Sequence, residues 1–309
     1  MSKIKLRFSF TFVVTFFCIV SVNAQAKDKS DTSYLKLQLD YLSNYTYNGR
    51  VDSIKSPYQT ITASYHLANG VYFTGAANYL LASGQNRFDY FEFDLGYEYK
   101  IGESISGELY GSKYFYNSNA NLLNGNISAD IGGTFNYDFG LFQFNNTADL
   151  FFSNATDFQY NPGVEKNISF GNANKEGSWS LTPGIYANIS SINYYESVVN
   201  RKLNGAKGAK SKIATPSYPL ITNVTSVKNP GVKLMEYEFT MPITYDLNNW
   251  NFTFTPTFAK PLNPISTNSI ITTTLANGTS TSLANNSTPY SERNLKNTFC
   301  FQIGLSYKF

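Results

Sequence analysis

Apolar and polar residues alternate with a period of two along most of this chain. The segments "YLKLQLDYL", "FDYFEFDLGYEYK", "GNISADIGGTFNYDF", "LFQFNNTADLFF", "GSWSLTPGIYANIS", "KLMEYEFTMPITYDL" and "NWNFTFTPTF" show it most clearly. Successive side chains of a strand point to opposite faces, so the alternation predicts strands with one apolar and one polar side. Twelve are predicted, near 34–43, 57–67, 70–81, 88–100, 103–116, 125–138, 141–152, 164–172, 177–189, 233–246, 250–259 and 296–309. On the fourth, Phe91, Phe93, Leu95, Tyr97 and Tyr99 form the apolar face. On the sixth it is Ile127, Ala129, Ile131, Phe135 and Tyr137, and on the tenth Met235, Tyr237, Phe239, Met241, Ile243 and Tyr245.

The connections add direction to this pattern. Five are short, at 68–70, 101–103, 138–140, 175–177 and 247–249. Six longer ones alternate with them, near 44–56, 82–87, 117–124, 153–163, 190–232 and 260–295. Aromatic residues gather at the short-turn ends: Tyr97, Tyr99, Phe135, Tyr137, Phe142, Trp179, Tyr245, Trp250, Tyr307 and Phe309. A soluble sandwich or propeller also alternates, but it gives no reason for girdles or for asymmetric connections. The pattern predicts an all-β fold, a transmembrane up-and-down antiparallel β-barrel of about 12 strands. Both chain ends fall on the periplasmic, short-turn side.

The amino end reads as an export signal. Lys3, Lys5 and Arg7 precede the apolar run "FSFTFVVTFFCIVSV" and a small-residue site in "NAQAK". The run is shorter than the roughly 20 residues of a membrane helix, so residues 1–26 are expected to be a cleaved signal peptide. Residues 27–309 are expected to form the barrel, with neither a plug domain before it nor a periplasmic domain after it. Removing the signal takes away three positive charges and turns the formal net charge of +3 into zero, which suggests no nucleic-acid partner. Cys300 is the one cysteine outside the signal, so ring closure rather than disulfides is expected to hold the fold. With 25 Phe and 24 Tyr against 3 Met, the composition also suits strands better than membrane helices.

The last twelve residues, "TFCFQIGLSYKF", place Phe299, Phe301, Ile303, Leu305, Tyr307 and Phe309 on one face. They resemble the C-terminal targeting strand of bacterial outer-membrane proteins, which ends in an aromatic residue. The resemblance implies the barrel-assembly machinery as a partner, with Tyr307 and Phe309 as the assembly signal. The stretch "YLSNYTYNGRVDSIKSPYQTITASYHLANGVYFTGAANYL" is similar to the opening of TorF-type putative porins, with Asn48-Gly49-Arg50 where that pattern has Arg-Gly. A weaker echo lies in "SWSLTPGIYANIS". This second resemblance implies passive diffusion of small solutes across the outer membrane of a Gram-negative bacterium.

Candidate chemistry is sparse. A lipid-facing His–Ser pair would be needed for phospholipase activity of the barrel type, yet His66 is the sole histidine and its parity points to the lumen. One histidine and one cysteine give no transition-metal set, no Asp-rich loop has calcium spacing, and no cofactor is implied. Inward parity gives the acids Asp40, Glu92, Asp94, Glu98, Glu108, Asp130, Asp138, Asp149, Glu236, Glu238 and Asp246, against the bases Lys36, Lys100 and Lys308. Asp89, Lys113 and Lys260 are read as outward charges at strand ends. Arg201, Lys202, Lys207, Lys210 and Lys212 cluster in the fifth long connection, which could fold inward against the acidic wall or stay solvated beside lipopolysaccharide. The sixth, "STNSIITTTLANGTSTSLANNST", predicts a hairpin around Ala276-Asn277-Gly278. Two functions fit: a narrow channel preferring cations, or a non-conducting barrel displaying long loops for adhesion or partner binding.

Overall fold

A computed structural model describes residues 32–51, 55–82, 84–117, 120, 127–153, 156–170, 177–193, 220–227, 231–275, 277, 279–287 and 295–309. The expected signal peptide and the basic run from Arg201 to Lys212 lie outside these residues, as do Ala276 and Gly278.

Twelve strands form a ring. They are β1 (Tyr34–Leu42), β2 (Tyr58–His66), β3 (Val71–Leu80), β4 (Arg87–Ile101), β5 (Ile105–Tyr116), β6 (Ala129–Asp138), β7 (Gln143–Phe152), β8 (Thr156–Glu165, resuming at Ile168–Phe170), β9 (Ser178–Leu181 and Gly184–Ser190), β10 (Lys233–Thr240 and Ile243–Leu247), β11 (Trp250–Pro261) and β12 (Thr298–Lys308). Each pairs antiparallel with the next, and β12 returns to β1 from Lys36↔Lys308 to Leu42↔Gln302. Closure leaves no strand edge in the ring, which lets backbone polar groups be satisfied in a lipid environment.

The breaks in β9 and β10 hold Pro183 and Pro242, and the break in β8 lies opposite Pro183. A proline has no N–H for the ladder, so within a sheet it interrupts pairing. Here the proline carbonyls still accept: Lys166 N bonds Pro183 O at 3.1 Å, Thr182 N bonds Pro242 O at 2.9 Å, and Met241 N bonds Pro256 O at 3.1 Å. One expected boundary is misplaced. The stretch 153–163, expected as a long connection, contains Pro162, which is inside β8, opposite Asn146 of β7. Only residues 153–155 separate β7 from β8, so the expected alternation of long and short connections fails there.

The outer face is apolar without a protein partner. Leu35, Leu37 and Leu39 of β1, Phe91, Phe93 and Leu95 of β4, Phe252, Phe254 and Phe258 of β11, and Phe299 and Ile303 of β12 are all exposed. A continuous apolar belt of this size is the surface of a barrel solvated by lipid. Near the short turns, ring contacts join four strands: Trp179 to Tyr245 (4.6 Å between centroids), Tyr245 to Phe252 (6.3 Å), Phe252 to Trp250 (6.5 Å), Trp250 to Tyr307 (4.7 Å) and Tyr307 to Phe309 (4.6 Å).

Two further sheets come from the connections. Thr46–Tyr47 pairs with Arg50–Val51 in a tight hairpin within the first. Leu220–Val227, Thr267–Thr274 and Ser280–Ser287 form a three-stranded sheet that joins the fifth and sixth. Its outer hairpin turns about Asn277, whose side chain accepts from Thr279 N at 3.0 Å.

Candidate lumen and loop-side cap

One row of cross-strand partners shows how the inner wall is built. Tyr72 of β3 faces Gly96 of β4, which faces Tyr110 of β5, then Gly132 of β6, then Asp149 of β7. Each tyrosine ring lies over the next glycine; a Cβ on Gly132 would overlap the Tyr110 ring and Asp149 Oδ1. Lying flat lets each phenol reach the strand beyond. Tyr72 OH donates to Glu108 at 2.9 Å and Tyr110 OH to Asp149 at 2.6 Å. The same device recurs in β8 and β9, where Tyr186 covers Gly163 and donates to Glu165. Tyr114 OH donates to Asp130 at 2.8 Å and Tyr58 OH to Asp89 at 2.5 Å. Five of the acids, Glu108, Asp149, Glu165, Asp130 and Asp89, are thus held by phenols. Sequence reasoning counted Glu108, Asp130 and Asp149 as lumen acids, read Asp89 as outward, did not single out Glu165, and missed the tyrosine partners of all five.

The remaining acids sit as follows. Asp40 is buried and accepts from Gln38 Nε2 (2.8 Å) and Gln302 Nε2 (3.0 Å). Asp130 also accepts from Ser112 N at 3.1 Å. Glu92 and Asp94 share the wall with Asp130, close to Tyr114 and Ser112 respectively. Glu98 stands near the short-turn mouth, 3.4 Å from His66 Nδ1, with half of its side-chain surface exposed (50%). His66 is stacked between Tyr34 and Tyr72, with centroids at 4.6 and 5.4 Å, and Lys308 Nζ lies 3.8 Å from the Tyr34 centroid. Glu236 and Glu238 occupy β10, with Asn188 Nδ2 3.4 Å from Glu236 Oε1. Asp138 and Asp246 are exposed at the rim, where they accept from Gly140 N (2.6 Å) and Asn251 Nδ2 (2.7 Å).

Three residues read as outward point inward instead. Asp89 is 1% exposed, because a bulge places Phe88 opposite Tyr79 but Tyr90 opposite Asn78. The bulge turns Asp89 to Tyr58 and to Arg87, whose Nε is 2.8 Å away, while Phe88 and Phe91 stack outside at 5.7 Å. A second bulge, with Ile189 opposite Leu234 but Asn188 opposite Glu236, turns Met235 inside. Ile127 precedes β6 and is also buried. In both bulges one extra residue flips the parity of everything beyond it.

Met235 and Ile127 belong to an apolar cap. They form one buried cluster with Tyr47 of the first connection, Ile192 of the fifth and Ile265 of the sixth; Tyr45, Tyr114 and Phe151 pack against it. The cluster draws on strands from β5 to β10, so it crosses the lumen at the loop side. Tyr47 belongs to the Thr46–Val51 hairpin, turned by Asn48 and Gly49 at φ of 52° and 71°, the type I′ signature of an Asn-Gly pair. Gly49 is pressed against the wall: a Cβ there would lie 2.5 Å from Glu236 Oε2 and 3.2 Å from Pro261 Cα. The buried Arg50 donates to Asn48 O (2.8 Å), Leu262 O (3.0 Å) and Asn263 O (3.2 Å). Among the described residues the first connection folds inward, together with Ile192 of the fifth and Ile265 of the sixth. The basic run of the fifth lies outside them.

A closed ring, a lipid-type outer belt and a polar, carboxylate-bearing interior define a transmembrane β-barrel of the outer-membrane class. No family model matches the chain, and no curated protein sequence does. Solved structures similar to it include BamA from Haemophilus ducreyi lacking POTRA domains 1–3, at 12% identity and a TM-score of 0.33 over 91% of this chain and 71% of that one. Salmonella typhi OmpF matches at 9% identity and a TM-score of 0.29, over 90% of this chain and 97% of that one. Acinetobacter baumannii OccAB3 matches at 8% and 0.29, over 90% and 98%.

Proposed function

We propose that this protein is a porin-like channel of the Gram-negative outer membrane that passes small cations through a narrow acidic lumen. One observation carries the reading. Among the described residues, the inner wall of β4 to β7 holds Glu92, Asp94, Glu108, Asp130 and Asp149, and its bases stand only at the two ends, Arg87 paired with Asp89 and Lys100 near the short turns. Fixed charge on a low-dielectric wall raises the local concentration of the opposite ion and repels its own kind. Eight strands leave a lumen filled with side chains and sixteen an aqueous pore, so twelve suit a conduit for small solutes. Export by a cleaved signal, delivery to the barrel-assembly machinery through Tyr307 and Phe309, and contact with lipopolysaccharide belong to the same reading.

The test is the reversal potential of the refolded protein in a planar bilayer under a salt gradient. Cation preference is expected, and Glu92→Gln, Asp94→Asn, Glu236→Gln and Glu238→Gln together should move the potential toward zero, most visibly at low salt. Anion preference in the unmodified protein would sink the assignment. The apolar cap favours a second reading, a barrel that displays its three-stranded loop sheet without conducting. Absence of current even with the hairpin removed decides for display.

A further inference from the structure

Arg50 is an odd residue with which to close an apolar cap. It is 6% exposed, and a hydrophobic side chain of similar volume would fill the same space without the cost of desolvating a guanidinium. What surrounds it is a set of acceptors. Three carbonyls take its donors, and two of them belong to the sixth connection, more than 200 residues away in sequence. The planar fork of a guanidinium fits such a divergent set where an apolar group cannot. Beside it stand Glu236 and Asn188, 7% and 6% exposed. Glu236 Oε2 and Asn188 Oδ1 have no hydrogen-bond donor, and Arg50 is within electrostatic reach of Glu236. Glu238 adds a second carboxylate on the same strand face.

We propose that Arg50 is a tethered occupant of a binding site for guanidinium- and ammonium-bearing organic cations, and that a free cation of this kind displaces it and lifts the Thr46–Val51 hairpin from the lumen. The site comprises the Leu262 and Asn263 carbonyls, Glu236, Glu238 and Asn188. A free guanidinium brings donors for Glu236 Oε2 and Asn188 Oδ1 that the tethered one leaves unmatched, and buried acceptors without donors cost free energy that such a ligand recovers. The geometry of the hairpin supports the same conclusion. Gly49 touches Glu236, so a ligand that settles on the carboxylate and the hairpin tip compete for one space. This inference rests on the conduit reading above and names the class of solute that opens it.

Cys300 reports on the site without any current. It is the only cysteine of residues 27–309, it is buried on the inward face of β12, and it lies next but one to Thr298, whose Oγ1 is 3.4 Å from Gly49 O. The folded full-length mature protein in detergent would be treated with a neutral maleimide, with and without methylguanidinium at matched ionic strength. Labelling should be slow in the unmodified protein. Methylguanidinium should speed it by about tenfold, equivalent to roughly 1.4 kcal/mol in hairpin opening, and sodium chloride should not. In Arg50→Ala labelling should be fast from the start and indifferent to the ligand. Equal rates with both salts, or slow labelling of folded Arg50→Ala, overturns the proposal. If Arg50→Ala does not fold, as judged by heat-modifiable mobility, the two-salt comparison on the unmodified protein decides alone. A barrel that labels as expected and passes no current in the bilayer even with methylguanidinium present keeps the cation site and loses the conduit.

Discussion

The two halves of the lumen carry the same acidic chemistry in opposite surroundings. At the short-turn side Glu98 is half exposed, and Lys100, Asp138 and Asp246 reach water. At the loop side Asp89, Asp157, Glu236 and Arg50 are buried with Met235, Ile127, Ile192 and Ile265. Water supports a charge wherever it reaches, so the open half needs no dedicated partners. The closed half must supply them, since a buried charge left unpaired costs several kcal/mol, on the order of 3–5 when one partner is removed. It does so for three of these four, and leaves Glu236 Oε2 without a donor. Asp89 has Tyr58 and Arg87, Asp157 has Ser191 Oγ at 2.6 Å and Asn193 N at 2.8 Å, and Arg50 has three carbonyls. Charge changes should therefore be severe in one half and mild in the other.

The largest effect is expected from Met235→Asp. This side chain is fully buried in the apolar cluster, where an added carboxylate has no donor assigned to it. The cost should be at least about 3 kcal/mol, expressed as release of the cap before the ring opens. Proteolysis should then nick the first connection of the variant under conditions that leave the unmodified protein whole. An uncut hairpin, with an unchanged unfolding midpoint, would show that the closed half is wetter than the geometry makes it.

A smaller loss is expected from Gly132→Ala, at the boundary between the halves. The new methyl would overlap the Tyr110 ring and Asp149. The ring must tilt, and its phenol then loses the 2.6 Å bond to Asp149. Overpacking of this kind costs about 1–3 kcal/mol. Gly111→Ala is the control, because a Cβ there meets nothing nearer than 3.6 Å. Equal unfolding midpoints for the two variants would remove the row of tyrosines and glycines as a structural device.

How far the sequence revealed this molecule depends on where parity holds. The strand number, the order of the ring and the aromatic girdle follow from period-two alternation, which a membrane barrel imposes on each strand. Parity fails at bulges, and the failures concentrate in the loop-side half. A signal was present at one of them: Phe88 and Phe91 are three apart, and two outward aromatics at that spacing require an extra residue between them. For Met235 there was none, since "KLMEYEF" alternates equally well with Met235 outside. The hairpin was legible as a turn from Asn48-Gly49, but its inward course depends on contacts with Glu236, Pro261 and Leu262, more than 180 residues away in sequence. Pattern within a strand carries no record of such meetings. The phenol–carboxylate pairs are intermediate: Glu108, Asp130 and Asp149 had inward parity as their tyrosines do and Asp89 did not, while the reach of Tyr72 and Tyr110 across two strands came only with the glycine that lets the ring lie flat.

The smallest effect sharpens the contrast most. Glu98→Gln removes an acid from the open half, 3.4 Å from His66 and beside a stacked column of Tyr34, His66 and Tyr72. An exposed pair of this kind contributes little, and surface substitutions mostly fall within about 0.5 kcal/mol. The unfolding midpoint should not move measurably. Conductance, if the barrel conducts, should respond differently, because a charge at a pore entrance raises the local concentration of the opposite ion without having to be buried. The drop should be visible at low salt and vanish near 1 M, where screening shortens the field to roughly 3 Å. A loss of stability comparable to that of Met235→Asp would show that Glu98 is held as tightly as the acids of the cap, and the division of the lumen into a wet and a dry half would then be wrong.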